Sequence, residues 1–254
     1  MVTIMALFAL VSSVAQAADA LPRKVDLRPE FARLGVTPKS QGGRGCCSLF
    51  AVIGVLEFEY ARAGQPATRL SEEYLNWASH KSNGRTSDGS FFSDALDGVE
   101  KFGVCREDLW PYAAKYDPGA QPPAAAVADA QTRRSVKARW IKRWNVNTGM
   151  SERMLTLMRR SLAAGHPLAI GMRWPNEEKY GPEHMLQMPP EGKVFDGHSI
   201  VLVGYQDDPD QPGGGYFIWR NHAGEKWGEG GYARMPYAYA AEYGNDAVGI
   251  RVTH

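Results

Sequence analysis

The stretch Gln41-Gly-Gly-Arg-Gly-Cys-Cys47-Ser-Leu-Phe50 places an amide side chain, a glycine-rich turn and a cysteine at the mouth of an apolar run. From Ser48 to Tyr60 the positions Leu49, Phe50, Val52, Ile53, Leu56 and Tyr60 recur at helical spacing, which predicts a helix starting at Cys47. A thiol of ordinary pKa, about 8.5, is only a few per cent thiolate at neutral pH. At a helix start it faces the positive end of the backbone dipole, which favours the anion. The stretch therefore describes an activated thiol that needs a basic partner from elsewhere in the chain.

Two later segments supply the missing groups. Gly197-His198-Ser-Ile-Val-Leu-Val-Gly-Tyr205 opens a β-type run with a histidine, and Tyr216-Phe-Ile-Trp-Arg-Asn221-His-Ala-Gly-Glu-Lys-Trp227-Gly-Glu-Gly-Gly-Tyr232 sets an asparagine ahead of a glycine-rich turn. Taken singly, each has a plain structural reading: a small core cysteine, a packed histidine, an Asn-x-x-Gly turn. In chain order, with Gly204, Tyr205, Gly224, Trp227, Gly228, Gly231 and Tyr232 all in frame, the three blocks resemble the papain-like cysteine peptidases. That family's patterns read Q-G-x-C-G-S-C-W, then H-A-x-x-x-V-G-Y, then N-S-W-G-x-x-W-G-x-x-G-Y. Its glutamine lies six positions before the nucleophile and a phenylalanine three after; Gln41 and Phe50 both select Cys47 and leave Cys46 at the family's serine position.

The resemblance implies an α+β fold of two lobes, a helical lobe over roughly residues 40–115 and an antiparallel sheet or barrel-like lobe over roughly 130–254, with the site in the cleft between them. It implies Cys47 as nucleophile, His198 as general base and then acid, and Asn221 as the group that orients the imidazole. Gln41, with the Cys47 backbone N–H, then forms the oxyanion hole. Asp88-Gly89-Ser90 sits where the family has an N-G-G turn that binds extended substrate as an added strand, so Gly89 and Ser90, with Gly197 and Trp227, are expected to contact substrate. The expected partners are a polypeptide in extended conformation and a proteinaceous inhibitor. No cofactor is implied, and the histidines and cysteines lack zinc-ligand spacing.

The chain has 254 residues, 44% of them hydrophobic, and a net charge of +1, enough for one sizeable domain and too balanced for nucleic acid or a membrane surface as the main partner. Residues 1–17 carry no charged side chain, run apolar from Ile4 to Val14 and end Ala15-Gln-Ala17, which predicts a cleaved export signal and a mature domain over 18–254, periplasmic or secreted, with no membrane span once the signal is removed. The missing basic n-region leaves an anchored N-terminus or an upstream start codon open. Val25-Asp26-Leu27-Arg28 lies where the family's mature domain begins, so the sequence as given leaves no room for the inhibitory prodomain many members carry. Only Cys46, Cys47 and Cys105 occur, and Arg44 replaces a family cysteine. Cys46 and Cys105 either pair or stay reduced and buried.

Leu70-Ser71-Glu-Glu73-Tyr74 predicts a helix capped by Ser71, and Ser93 to Gly103 another closed by glycine. Gly119-Ala-Gln-Pro-Pro-Ala-Ala-Ala126 reads as a linker. Strands are expected at Val136–Trp140, with the basic residues Lys137, Arg139 and Lys142 facing solvent, at Pro167–Met172, at Ile200–Tyr205 and at Tyr216–Trp219; Met154–Leu162 reads as an amphipathic helix.

Departures from the pattern fall near the site. Asn221-His222-Ala223-Gly224 lacks the tryptophan that covers the family's Asn–His hydrogen bond, so easier solvent access is expected, with His222 as an exposed turn residue or else a second titrating group that changes the pH dependence. Ser48 replaces the tryptophan after the nucleophile, and Arg44 is expected near the cleft, favouring acidic substrate groups. Two other functions compete: a cysteine amide hydrolase or transferase acting on cell-wall or side-chain amides, and a pseudoenzyme that binds peptide without cleaving it. The Asn-x-x-Gly-x-x-Trp-Gly block weighs against a cell-wall amidase, and retention of Gln41, Cys47, His198 and Asn221 weighs against a pseudoenzyme.

Overall fold

The computed structural model describes residues 20–253; the expected leader, residues 1–17, lies outside them. In chain order the elements are β1 (Lys24–Asp26), α1 (Arg28–Arg33), α2 (Cys47–Arg62), α3 (Glu72–Asn83), α4 (Phe92–Phe102), α5 (Ala124–Ala130), β2 (Val136–Lys142), α6 (Glu152–Ala163), β3 (Leu168–Pro175), β4 (Val194–Asp207), β5 (Gly215–Arg220), β6 (Tyr232–Pro236), α7 (Tyr237–Tyr243) and β7 (Gly244–Val252).

Helix ends follow local chemistry. The Ser71 hydroxyl accepts from the Tyr74 N–H and Gly84 closes α3 in the left-handed region, while Ser151 accepts from Met154 to start α6. Helix α2 is buried from Ser48 to Ala61, including two glutamates. Each is paired: Glu57 lies 2.9 Å from Lys39 Nζ, and Glu59 lies 2.7 Å from His166 Nδ1. Buried charge is tolerated only with such partners.

The strands form one antiparallel sheet in the order β2-β7-β3-β4-β5-β6, with β1 pairing to β4 off that path. The sheet stays open with β2 and β6 at its ends, so the barrel-like expectation is corrected to an open twisted sheet. Alternation along β4 sorts the core. Val201 and Val203 join the cluster that includes Leu49, Ile53 and Leu56 of α2, while Ile200 and Leu202 join the one that includes Leu155 and Met158 of α6. Each such fully buried side chain contributes about 1.5–3 kcal/mol of transfer free energy. Helix α2 is thereby pressed against the sheet that carries His198 in β4.

Two local expectations need correction, and one open alternative is decided. The linker ends in the short helix α5, with Ala126 and Ala130 buried beside Cys105. Lys142 is buried rather than solvated; its ammonium donates to the carbonyls of Asn145, Thr148 and Gly244. Cys46 and Cys105 are both free and buried, in separate clusters, so the reduced alternative is the one observed.

Candidate active site

Cys47 is the first residue of α2, with Cys46 at the N-cap, so its N–H belongs to the helix turn that has no intrahelical acceptor. His198 sits in β4 opposite Met172 of β3, where a register shift between Met172 and Arg173 accompanies Gly197 at φ +136°. That backbone region favours glycine. The Cys47 thiol and the His198 imidazole line one cavity and act on each other's charge there. The His198 Nε2–H donates to Asn221 Oδ1 at 2.9 Å, which leaves Nδ1 for the thiol. Asn221 is 7% exposed, and its Oδ1 also accepts from the His222 N–H at 2.9 Å.

Electrostatics follow the geometry. Burial alone would push the Cys47 thiol up, but the His198 hydrogen bond and charge, with the groups of Ser199, bring it below the ordinary thiol value. Burial likewise disfavours a charged His198, and the thiol beside it, Asn221 and Glu178 reverse that and raise it. The two shifts together favour the thiolate–imidazolium pair. Cys46 differs: burial and its 3.1 Å contact with Asp88 Oδ1 push its thiol up to about 12.

Gln41 borders the same cleft, held by its backbone N–H on the His222 carbonyl at 2.9 Å and by the Tyr112 hydroxyl donating to the Gln41 carbonyl at 3.0 Å. Its Nε2 donates one proton to the Arg44 carbonyl at 2.9 Å, which leaves a second for another acceptor. Two cavities open on either side of His198. One, about 210 Å³, is lined by Cys47, Ser90, Phe91, Trp144, Met172 and Asp246; the other, about 400 Å³, by Gln41, Trp174, Glu178, Asn221, His222 and Trp227. Gly197 borders both. Gly89, at φ +82°, has its α-carbon against the Gly45 carbonyl and its own carbonyl 3.0 Å from His80 Nε2, whereas the Ser90 carbonyl accepts from the Ser48 hydroxyl.

Two expectations built on the pattern's gaps, an exposed His222 and an Arg44 facing the cleft, are overturned. His222 is 2% exposed, 6.3 Å from the His198 ring and 5.7 Å from Phe50, and burial with the neighbouring His198 charge holds it well below the ordinary histidine value. Trp174, edge-on to His198 at 4.7 Å and continuing into Trp219 and Trp227, shelters the His198–Asn221 bond on one side, while the cavity of about 400 Å³ meets it on the other. Arg44 does not face substrate; it is 7% exposed and paired with Glu73 and Asp88. Trp174 and Glu178 were not singled out from sequence. A tryptophan at the end of an apolar β-run was the available signal for the first, and Glu178, which accepts from Trp174 Nε1 at 2.8 Å, lies in a loop without pattern.

Comparison with known proteins bears on the fold and the family. Xylellain, a cysteine protease from Xylella fastidiosa, superposes with a TM-score of 0.74 at 26% identity, covering 92% of this chain and 88% of that one. Cysteine proteinase B of Leishmania mexicana is 29% identical over 85% of this chain, and procathepsin L of Felis catus is 27% identical over 85%. The chain spans 45% of the length of the first and 60% of the second. The family model for papain family cysteine proteases matches residues 21–250, and with that match the chain belongs to the papain family of cysteine proteases.

Proposed function

We propose that this chain is a cysteine endopeptidase that cleaves polypeptides bound in extended form. The observation that carries the reading is the partly buried Cys47–His198–Asn221 series, with the Cys47 thiol lowered and the His198 imidazole raised. The Cys47 thiolate attacks the scissile carbonyl carbon, and the charge moves to oxygen opposite the Cys47 N–H and the second Gln41 Nε2 proton. Collapse breaks the C–N bond, and the His198 imidazolium gives its proton to the leaving amine. The acyl group remains on sulfur as a thioester. Water then loses a proton to His198 and attacks the thioester, the C–S bond breaks, and the acid product leaves with the ion pair restored.

Ser90 lines the cavity beside Cys47 and, with the adjacent Gly89, is assigned as the edge offered to the substrate backbone; Gly197 and Trp227 border the cleft on the histidine side. The domain boundary at about residue 18, export to a periplasm or beyond, and a prokaryotic origin belong to the same proposal; the uncharged apolar segment ending Ala15-Gln-Ala17 and the likeness to the Xylella enzyme support them. Among the described residues no helix is long and apolar enough to cross a membrane. A proteinaceous inhibitor fits the same cleft as an extended chain.

Purified protein incubated with casein tests the reading, with Cys47→Ser as control and purified peptidoglycan as the competing substrate. Peptide release by wild type alone is expected. Amine release from peptidoglycan with casein untouched would replace it by the amidase reading, and neither activity, by the binding-only reading.

A further inference from the structure

We propose that Arg44 is a positioning residue that locks the loop carrying Gln41 to the turn carrying Gly89, and so sets the register of bound extended substrate. The inference rests on the proposed use of Gly89 and Ser90 as the substrate edge.

Three residues ahead of Cys47, the Arg44 side chain turns from the cleft into the helical layer. Its Nε and Nη2 donate to the two carboxylate oxygens of Asp88 at 2.9 and 2.8 Å, a planar fork on a planar fork. Nη1 donates to Glu73 at 2.5 Å and to the Ala113 carbonyl at 2.8 Å, and the guanidinium lies 4.4 Å over the Tyr112 ring. The Arg44 carbonyl is itself the acceptor for Gln41 Nε2. One residue therefore touches the Gln41 carboxamide with its backbone and the residue before Gly89 with its side chain.

Asp88 completes the node by accepting also from the Cys46 thiol, from Asn76 Nδ2 at 3.0 Å and from the Gly89 N–H at 3.1 Å. Burial pushes its carboxyl up, and the Arg44 hydrogen bonds more than reverse this, holding it below the usual carboxylate range. The two backbones already touch, since a Cβ on Gly89 would lie 2.1 Å from the Gly45 carbonyl oxygen. With all three cysteines free, this join between loop and turn is ionic. A lysine at position 44 would keep the charge and lose the fork.

The test compares alkylation of Cys47 by iodoacetamide, which is too small to reach Gly89, with alkylation by acetyl-Ala-Ala-Phe chloromethyl ketone, which spans the edge. Wild type is expected to favour the tripeptide reagent. In Arg44→Lys, and independently in Asp88→Asn, that preference should fall by about ten- to a hundred-fold, with the iodoacetamide rate held within about two-fold. A merely structural role would slow both reagents alike, and that result, or a preference kept intact in both variants, overturns the inference alone. A wild type with no preference overturns the extended-substrate reading and this inference with it.

Discussion

The Nε2–H of His198 donates to Asn221 Oδ1 at 2.9 Å, and the oxygen that receives it is pinned by a second donor, the His222 N–H. Asn221 thus acts on the imidazole and not on substrate. Removing His198 is expected to lower kcat/KM by about 10²–10⁴-fold, the range for a lost acid–base group. Asn221→Ala should cost less, and the double variant no more than His198→Ala, because the second group works only through the first. Steady-state kinetics on the four proteins check this; additive losses would give Asn221 an independent role.

Thiol titration separates the three cysteines. Cys47 is lowered by its contacts with His198 and Ser199, while burial pushes Cys46 and Cys105 up to about 12. Iodoacetamide should therefore label Cys47 alone well below pH of about 8.5, and His198→Ala should move its titration upward. Mass mapping of the alkylated chain across pH reads both effects. Preferential labelling of Cys46 would reassign the nucleophile.

The Cys46 thiol is a hydrogen-bond donor to Asp88 in a fully buried position. A hydroxyl can make the same contact, so Cys46→Ser is expected to keep activity and to change stability by no more than about 1 kcal/mol. Cys47→Ser should abolish turnover with the fold intact. Paired urea melts and casein assays distinguish the two substitutions.

The parts of the site that are local in sequence were legible there. Gln41 and Phe50 framed Cys47, and the continuous apolar run from Ile200 to Val203 revealed the strand that delivers His198. Strand β7 was missed because it opens Gly244-Asn-Asp246, residue types depleted in strands, and is held by β2 and β3 on either side. Helix α5 hid behind Pro122-Pro123, although a proline followed by alanines is also a helix-start signal. The burial of His222 and the inward turn of Arg44 depend on Phe50, Glu73 and Asp88, partners far along the chain, and no local spacing encodes them.

Acid should destabilise the protein through His222. Its folded value lies well below the ordinary 6.5, so between the two the unfolded chain binds the proton and the native one does not. Stability from this group is complete above about pH 6.5 and lost as pH falls below it, by up to about 1.4 kcal/mol per pH unit. In His222→Gln that loss should be absent. Urea unfolding at pH of about 5 and about 7.5 gives the comparison; equal acid losses in both proteins would place the sensitivity elsewhere.

Gly89 and Gly64 make a controlled pair for the contact at the substrate edge. Both adopt positive φ, +82° and +86°, but a Cβ on Gly64 meets nothing within 4 Å, while one on Gly89 would lie 2.1 Å from the Gly45 carbonyl oxygen. Gly64→Ala should therefore cost only the left-handed backbone penalty, about 1–2 kcal/mol, with kcat/KM unchanged. Gly89→Ala adds a clash that only backbone displacement can relieve, and the segment it displaces, Gly45-Cys46, leads directly into Cys47. A further loss of stability is expected, together with a fall in kcat/KM that Gly64→Ala does not show. Urea melts of the two variants, run beside their peptidase kinetics, separate backbone strain from misplacement of the site, and equal kinetics in the two would mean that the contact has no bearing on catalysis.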